Sequence, residues 1–379
     1  MSALVEAALA ERIARSGSVR FDEFVASVLY GPDGFFGSGR GAGGRGGDFL
    51  TSPEVGPLFG TVVARWLDER WDELGRPDPF VVVEAAAGRG ALAIAVLAAE
   101  PRCAPALRYL LVEASDALRV RQGEHLALAH PFEVLGPSPD PEADGVREPA
   151  LGAGAGPVCC PLSDLPAQSV VGVVLANELL DNLPFRLLER GHDGWSEVRV
   201  TADGDRLTEL LVPAPDDVVR RVHALAPRAT VGARVPLQEQ ATEWVGRALG
   251  VLERGTLAVI DYAVPTTAEL ADRSPAEWLR TYRDHRRGGH PLEAPGEQDL
   301  TVEVAVDQLP APDGDTDQAA WLRAAGIEDL VEEGRRRWSE SAGVGDLAAL
   351  RARSRVSEAA ALCDPSGLGG FRVLEWHVR

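Results

Sequence analysis

The chain has 379 residues, 45% of them hydrophobic and 25% charged, with a formal net charge of -20. That is globular composition with length for one large domain or two smaller ones, and the acidic balance disfavours nucleic-acid backbones and anionic membrane surfaces while suiting cationic partners. No stretch reaches about 18 consecutive apolar residues, so no membrane span is expected, and no basic start followed by an apolar block marks a signal peptide.

Residues 2–15 read as an amphipathic helix with Leu4, Ala8 and Ile13 on one side, and Phe21 to Leu29 as a second helix carrying Phe21, Phe24, Val25 and Val28. Gly31, Pro32 and Gly34 mark a turn. Residues 37–47 hold seven glycines, the composition of a mobile lid or a disordered tip. Thr51 or Ser52 is placed to cap a helix that Pro53 starts, with Phe59, Val62, Val63, Trp66 and Leu67 on its apolar face. From about residue 79, strands and helices alternate: strands at 80–83, 109–112, 158–162 and 170–176, helices at 91–99 and 117–129, and a Pro/Gly/Ala-rich loop at 136–157. Repeated βα units imply a mostly parallel sheet with helices on both faces. Glu197–Val200 and Leu207–Val212 flank a turn and read as a hairpin. A helix at 238–249 leads to a strand ending in Asp261-Tyr262, loops follow at 287–299 and 310–316, and a last strand runs from Phe371 to Val378. The expected division is an N-terminal helical cap with its glycine-rich lid (1–78), a Rossmann-like core with an inserted hairpin near 195–250 (79–265), and a segment completing the sheet and the substrate mouth (266–379).

Strand ends carry the chemistry, because open α/β sheets bind ligands at their carboxyl edge. The first core strand ends in Glu84, followed by Ala85-Ala86-Ala87-Gly88-Arg89-Gly90, and the second ends in Glu113, placed to grip a ribose. Gly88-Arg89-Gly90-Ala91-Leu92-Ala93 matches the dinucleotide pattern G-x-G-x-x-A, which leaves an NAD enzyme as one reading. Glu84 argues against it. A carboxylate there repels a pyrophosphate but attracts the sulfonium and ammonium of S-adenosylmethionine. Asp164, after the third strand, is a candidate for the adenine amino group. The fourth strand runs into Asn177-Glu178-Leu179-Leu180-Asp181-Asn182-Leu183-Pro184, an amide and two carboxylates closed by a proline.

These motifs, in order, resemble the MidA family of S-adenosylmethionine-dependent methyltransferases, whose mitochondrial relative methylates arginine and supports assembly of respiratory complex I. The resemblance covers most of the chain. It rests on Leu29-Tyr30 with Gly34-Phe35-Phe36, Gly47-Asp48-Phe49-Leu50-Thr51-Ser52-Pro53-Glu54, Phe59-Gly60, Glu84 with Gly88-Arg89-Gly90, and Glu113-Ala114-Ser115 with Leu118 and Gln122. It continues through Asn177-Glu178 with Asp181 and Pro184, Asp261-Tyr262, and Pro295-Gly296 with Asp299-Leu300-Thr301. Three departures stand out. Ala86 replaces a glycine of the family's turn, and a positive φ there strains alanine by about 1 kcal/mol or more. Glu303 stands where the family has His, and Phe35 and Phe36 lack the tyrosine hydroxyls.

The resemblance implies a Rossmann-like class I methyltransferase with an N-terminal helical cap and inserted segments, using S-adenosyl-L-methionine on a protein substrate with an exposed arginine. Residues after the fourth strand then face the methyl group. Glu178 is expected to orient the guanidinium and Asp181 to assist, since paired carboxylates bind this planar, permanent cation through charge-assisted hydrogen bonds. Asn177 orients the loop or contacts the cofactor. Asp48, Thr51 and Ser52 are expected to close over the cofactor, although helix capping explains Thr51 and Ser52 as well. Glu54, Tyr262, Asp299 and Thr301 are expected at the substrate mouth. Cys103, Cys159, Cys160 and Cys363 form no metal-binding pair, and the histidines show no ligand spacing, so a reduced cytoplasmic setting and no metal are expected. A small-molecule methyltransferase, a non-catalytic assembly factor and the NAD enzyme remain the alternatives. Nothing in the pattern sets an oligomeric state.

Overall fold

The computed structural model describes residues 2–39, 51–136, 152–204, 206–283, 286–341 and 347–379. Helices α1 (Ser2–Ser16) and α2 (Phe21–Tyr30) open the chain. On α1 the buried row is Val5, Leu9 and Ile13, an i, i+4 series, so Ile13 is on the buried face as expected, whereas Leu4 is 57% exposed and Ala8 faces solvent, each one position off it. The single helix expected from Pro53 is two, α3 (Ser52–Val55) and α4 (Pro57–Glu73). Gly56 between them is fully extended, which ends one helix, and Pro57 starts the next.

The core alternates as the periodicity predicts. It comprises β1 (Phe80–Ala85), α5 (Ala91–Ala98), β2 (Leu107–Val112), α6 (Asp116–Gln122), β3 (Val158–Leu162) and β4 (Val170–Asn177). All six residues of β1 are buried, as a strand covered on both faces requires. Helix α6 starts on the Ser115 cap and stops at Gln122 before Gly123, well short of the expected 129. An insertion follows: β5 (Arg186–Arg190), β6 (Trp195–Asp203), β7 (Arg206–Pro213), α7 (Asp216–Leu225) and β8 (Arg234–Leu237), with β6 and β7 forming the expected hairpin. Helix α8 (Glu239–Val251) then leads into β9 (Leu252–Asp261). The tail contributes β10 (Leu279–Arg283), β11 (Asp299–Val302), β12 (Gly314–Asp317), α9 (Gln318–Ala324), α10 (Ile327–Ser341), α11 (Leu347–Leu362) and β13 (Arg372–Val378). Strand β12 lies partly in the stretch read as a loop at 310–316; antiparallel pairing with β13 recruits it.

The main sheet has the order β12-β13-β9-β4-β1-β2-β3. Strands β3, β2, β1, β4 and β9 run parallel, and β13 is antiparallel between β9 and β12. The chain order reverses between β1 and β4, so the crevice for a ligand opens at their carboxyl ends. Phe59, Val63, Leu92 and Val96 pack with Val82, Tyr109 and Val173 in one core, and Ala241, Val245 and Ala248 pack with Val83, Leu110 and Val174 in the other. A third core joins α1 and α2 to the inserted sheet: Leu9, Phe21, Phe24 and Val28 pack with Phe185, Leu187, Val198 and Val200, and with Trp278 and Leu300 of the tail. The helices of the stretch 1–78 divide between two cores. Its first two helices belong to the accessory layer, and α4 covers the core sheet.

Candidate active site

The turn after β1 is built from left-handed backbone: Ala86 has φ 55, Gly88 φ 52 and Gly90 φ 81. Two buried side chains grip it. Glu113, at the end of β2, accepts from the Gly88 amide at 2.9 Å and the Ser115 amide at 2.8 Å, and Gln122 donates to the Gly88 carbonyl at 2.9 Å. Burial raises the Glu113 pKa against the pull of those amides. Glu84 is 6% exposed and accepts the Tyr109 hydroxyl at 2.7 Å; burial pushes its pKa up to about 7, with the Tyr109 bond opposing.

A cleft at this point is lined by Glu84, Ala86, Gly88, Arg89, Asn177 and Glu178, and from the N-terminal side by Thr51, Pro53 and Glu54. The register explains the meeting: Ala85 pairs with Ala176, so the β1 turn and Asn177-Glu178 leave the sheet side by side. Thr51 and Glu54 form a capping box, the Thr51 amide donating to Glu54 at 3.3 Å, while both still line the cleft.

Glu178 also has a left-handed backbone, φ 53. Its amide donates to the Ile260 carbonyl at 2.8 Å, and Asn177 Nδ2 donates to its carboxyl at 2.9 Å. Burial pushes its pKa up to about 8; the Asn177 bond opposes this and the neighbouring Asp261 adds to it. Asp181 is 3% exposed, with Oδ1 buried and without a hydrogen-bond partner among the described residues. Burial first, then Asp261, Asp299 and Glu178, hold its proton well above the usual carboxylate range. Tyr262 packs on Phe371 with ring centroids 3.8 Å apart; burial, Glu178 and Asp181 raise its pKa.

Other expected site residues lie elsewhere. The Ser52 hydroxyl is fully buried and donates to Gln318 Oε1 at 3.0 Å, so the side chain turns from the cleft while its backbone amide bonds the Glu178 carboxyl. Asp164 borders a different cavity and pairs with Arg247 of α8 at 2.5 Å, an exposed ion pair that draws it from the glycine turn. Asp299 is fully buried and accepts from Asn182 Nδ2 at 3.0 Å, so it braces the loop from behind and does not line a mouth. Thr301 is half-buried on β11, opposite Arg280. Glu303 is clamped by two guanidiniums, Arg273 at 2.6 and 2.9 Å and Arg280 at 2.6 Å. Asp48 and most of the glycine-rich stretch lie outside the described residues. Asp261, Asn182 and Tyr30 were not singled out as site residues, yet all three tie down the Glu178 loop. Two signals point to Asp261: an ionisable residue closes the apolar run of β9, and Asp261-Tyr262 is among the motifs of the resemblance.

The donor set fits S-adenosylmethionine. Carboxyls of Glu54, Glu84 and Glu178 surround a glycine-opened turn, which suits a sulfonium and an ammonium and disfavours a pyrophosphate. Known proteins agree. A family model for S-adenosyl-L-methionine-dependent methyltransferases matches residues 62–322. The crystal structure of a COG1565 superfamily member from Burkholderia thailandensis, bound to S-adenosyl-homocysteine, superposes with a TM-score of 0.80 at 28% identity, covering 100% of this chain and 92% of that one. The mitochondrial protein arginine methyltransferase NDUFAF7 homolog of Drosophila melanogaster is 27% identical over 78% of this chain and 67% of its own length. The human mitochondrial NDUFAF7 protein is 27% identical over 79% of this chain and 66% of its own length. These relatives overturn the cytoplasmic expectation, since both are mitochondrial proteins. No helix among the described residues is long and apolar enough to cross a membrane. The NAD and non-catalytic alternatives give way to an enzyme whose cofactor is S-adenosylmethionine. The chain belongs to the Methyltransf_28 family of S-adenosyl-L-methionine-dependent methyltransferases.

Proposed function

We propose that this methyltransferase acts on arginine in a protein. The observation that carries the reading is the pair of buried carboxyls beyond β4: Glu178, held in a left-handed conformation at the cofactor cleft, and Asp181, with a buried oxygen that lacks a partner among the described residues. A guanidinium is planar, permanently charged and rich in donors, so Glu178 on the cleft, with Asp181 buried behind it, matches it in charge and in hydrogen bonding. The relatives named as protein arginine methyltransferases support the same class of substrate, and a net charge of -20 suits a cationic peptide.

When bound, S-adenosylmethionine supplies an electrophilic methyl group on a sulfonium. Glu84, the Ala86–Gly90 turn, Glu113, Asn177 and Thr51 are the residues that hold it. Glu178 orients the guanidinium and draws its charge toward the carboxyl, leaving the reacting nitrogen more nucleophilic. A bound guanidinium favours the ionised form of Glu178, whose carboxylate then accepts the one proton that the substituted nitrogen loses, with Asp181 as its neighbour. Glu54, on the cleft, and Tyr262, near Glu178 and Asp181, border the acceptor side.

The test combines S-adenosylmethionine with arginine-bearing peptides and reads methylation by mass spectrometry. Glu178→Gln is expected to cut turnover about 100-fold or more, the scale of a lost acid–base group, while S-adenosyl-homocysteine binding stays nearly intact. Equal loss of both removes the assigned role. Methylation of small acceptors alone, with peptides untouched, favours the small-molecule reading.

A further inference from the structure

Asp261 closes β9, the core strand beside β4, and is 1% exposed. One carboxyl oxygen, Oδ2, accepts three consecutive backbone amides, those of Leu179 at 3.2 Å, Leu180 at 2.8 Å and Asp181 at 3.4 Å. The other, Oδ1, accepts the Tyr262 amide at 2.8 Å. Three amides converging on one oxygen form a backbone nest, which favours an anion over a neutral acceptor. The chain collected there begins one residue after Glu178, whose left-handed backbone costs an L residue roughly 1–2 kcal/mol and persists only where the surroundings over-determine it.

The other ties to this loop act at its far end. Asn182 Nδ2 donates to Asp299 Oδ1 and the Leu300 carbonyl, both at 3.0 Å, and the Tyr30 hydroxyl donates to the Asn182 carbonyl at 3.2 Å. Among the described residues, the Ile260 carbonyl and the Asp261 carboxyl hold the backbone at the end that carries Glu178, while Asn177 Nδ2 and the Ser52 amide reach its carboxyl. Asp261 is absent from the cleft lining.

We infer that Asp261 is a positioning residue for methyl transfer, its carboxylate fixing the 179–181 turn so that Glu178 is presented to the substrate. This rests on reading Glu178 as the guanidinium clamp. An asparagine at 261 offers one carbonyl oxygen, so either the three-amide nest or the Tyr262 amide would face an NH2 group and lose its acceptor.

The experiment compares wild type, Asp261→Asn, Glu178→Gln and the double variant. Its readouts are kcat/KM on an arginine peptide and the S-adenosyl-homocysteine Kd by calorimetry. Asp261→Asn is expected to lower kcat/KM by about 10- to 100-fold, the usual effect of losing an outer orienting partner, with the Kd within about threefold. The double variant is expected to lose no more than Glu178→Gln alone, because both changes disable one unit. Turnover of Asp261→Asn within about twofold of wild type overturns the inference. So does a double variant whose loss is the product of the two single losses, or cofactor affinity that falls in step with turnover; in the last case Asp261 supports the whole sheet end. If Glu178→Gln retains full activity, the clamp reading fails first, and that outcome is distinct from failure of Asp261→Asn alone.

Discussion

Ala86 sits at φ 55 on the cofactor cleft, between a core strand and a glycine-opened turn. Among the described residues, five that are not glycine have positive φ, and two of them, Ala86 and Glu178, line this one cleft. Such strain concentrates where the surroundings fix it for function. At Glu178 the side chain repays the cost, since it is the proposed clamp. At Ala86 a methyl group gains nothing comparable, and glycine would occupy the same conformation freely. Ala86→Gly is therefore expected to stabilise the protein by about 0.5–1 kcal/mol, the left-handed penalty less the extra entropy glycine loses on folding. It is also expected to tighten S-adenosyl-homocysteine binding by freeing the turn to close on the ligand. Urea melts and calorimetry check both, and unchanged values would mean the turn already accommodates the methyl.

Helices α3 and α4 show how a distant segment sets the cofactor wall. Gly56 joins them with an ordinary extended backbone, so space and not conformation demands glycine there. A Cβ at Gly56 would stand 2.3 to 2.7 Å from the Glu358 carboxyl of α11. That carboxyl is 5% exposed and accepts the Leu58 amide at 2.9 Å, a free amide in the first turn of α4. Gly56→Ala is expected to evict Glu358, cost about 1–3 kcal/mol for the unsatisfied groups, and weaken cofactor binding because α3 carries Thr51, Pro53 and Glu54 on the cleft. Thermal melts with and without S-adenosyl-homocysteine would detect both losses. This joint marks the boundary of what the sequence made legible. The strands β1, β4 and β9, the helix α2, and the meeting of the glycine turn with Asn177-Glu178 follow from local pattern and strand order. The split at Gly56 depends on a glutamate 302 positions later, 358 less 56. The side-chain partners of Ser52 and Asp164 escape local pattern for the same reason, Gln318 and Arg247 being remote in sequence. Asp261 reads as the end of a strand because its four bonds are to backbone amides, which carry no residue identity.

Over the whole molecule, the feature that sets behaviour is the number of acids kept dry around one cleft. Burial raises Glu84 from 4.5 to about 7, Asp261 from 3.8 to about 7 and Glu178 from 4.5 to about 8, and holds Asp181 well above its usual range. The sign follows from linkage. Each group keeps its proton in the folded state at a pH where the unfolded chain has lost it, so stability is fully present below the unfolded pKa values. It is then lost as pH rises through the folded values, about 7 to 8. At about 1.4 kcal/mol per pKa unit, the nearly inaccessible Glu84 alone tilts the balance by a few kcal/mol. The overall charge of -20 pushes the same way, because ionising more acids adds repulsion to the compact state. The protein without cofactor is thus expected to melt several degrees lower at pH 8.5 than at pH 5.5, and Glu84→Gln to flatten that slope. Cationic S-adenosylmethionine should recover more of the loss at high pH than S-adenosyl-homocysteine, which lacks the sulfonium charge, because ionised carboxyls then meet a positive partner. Scanning calorimetry across that pH range decides the matter; a melting temperature that climbs steadily with pH would show that these carboxyls are already ionised in the fold and that the cleft is charged before any ligand arrives.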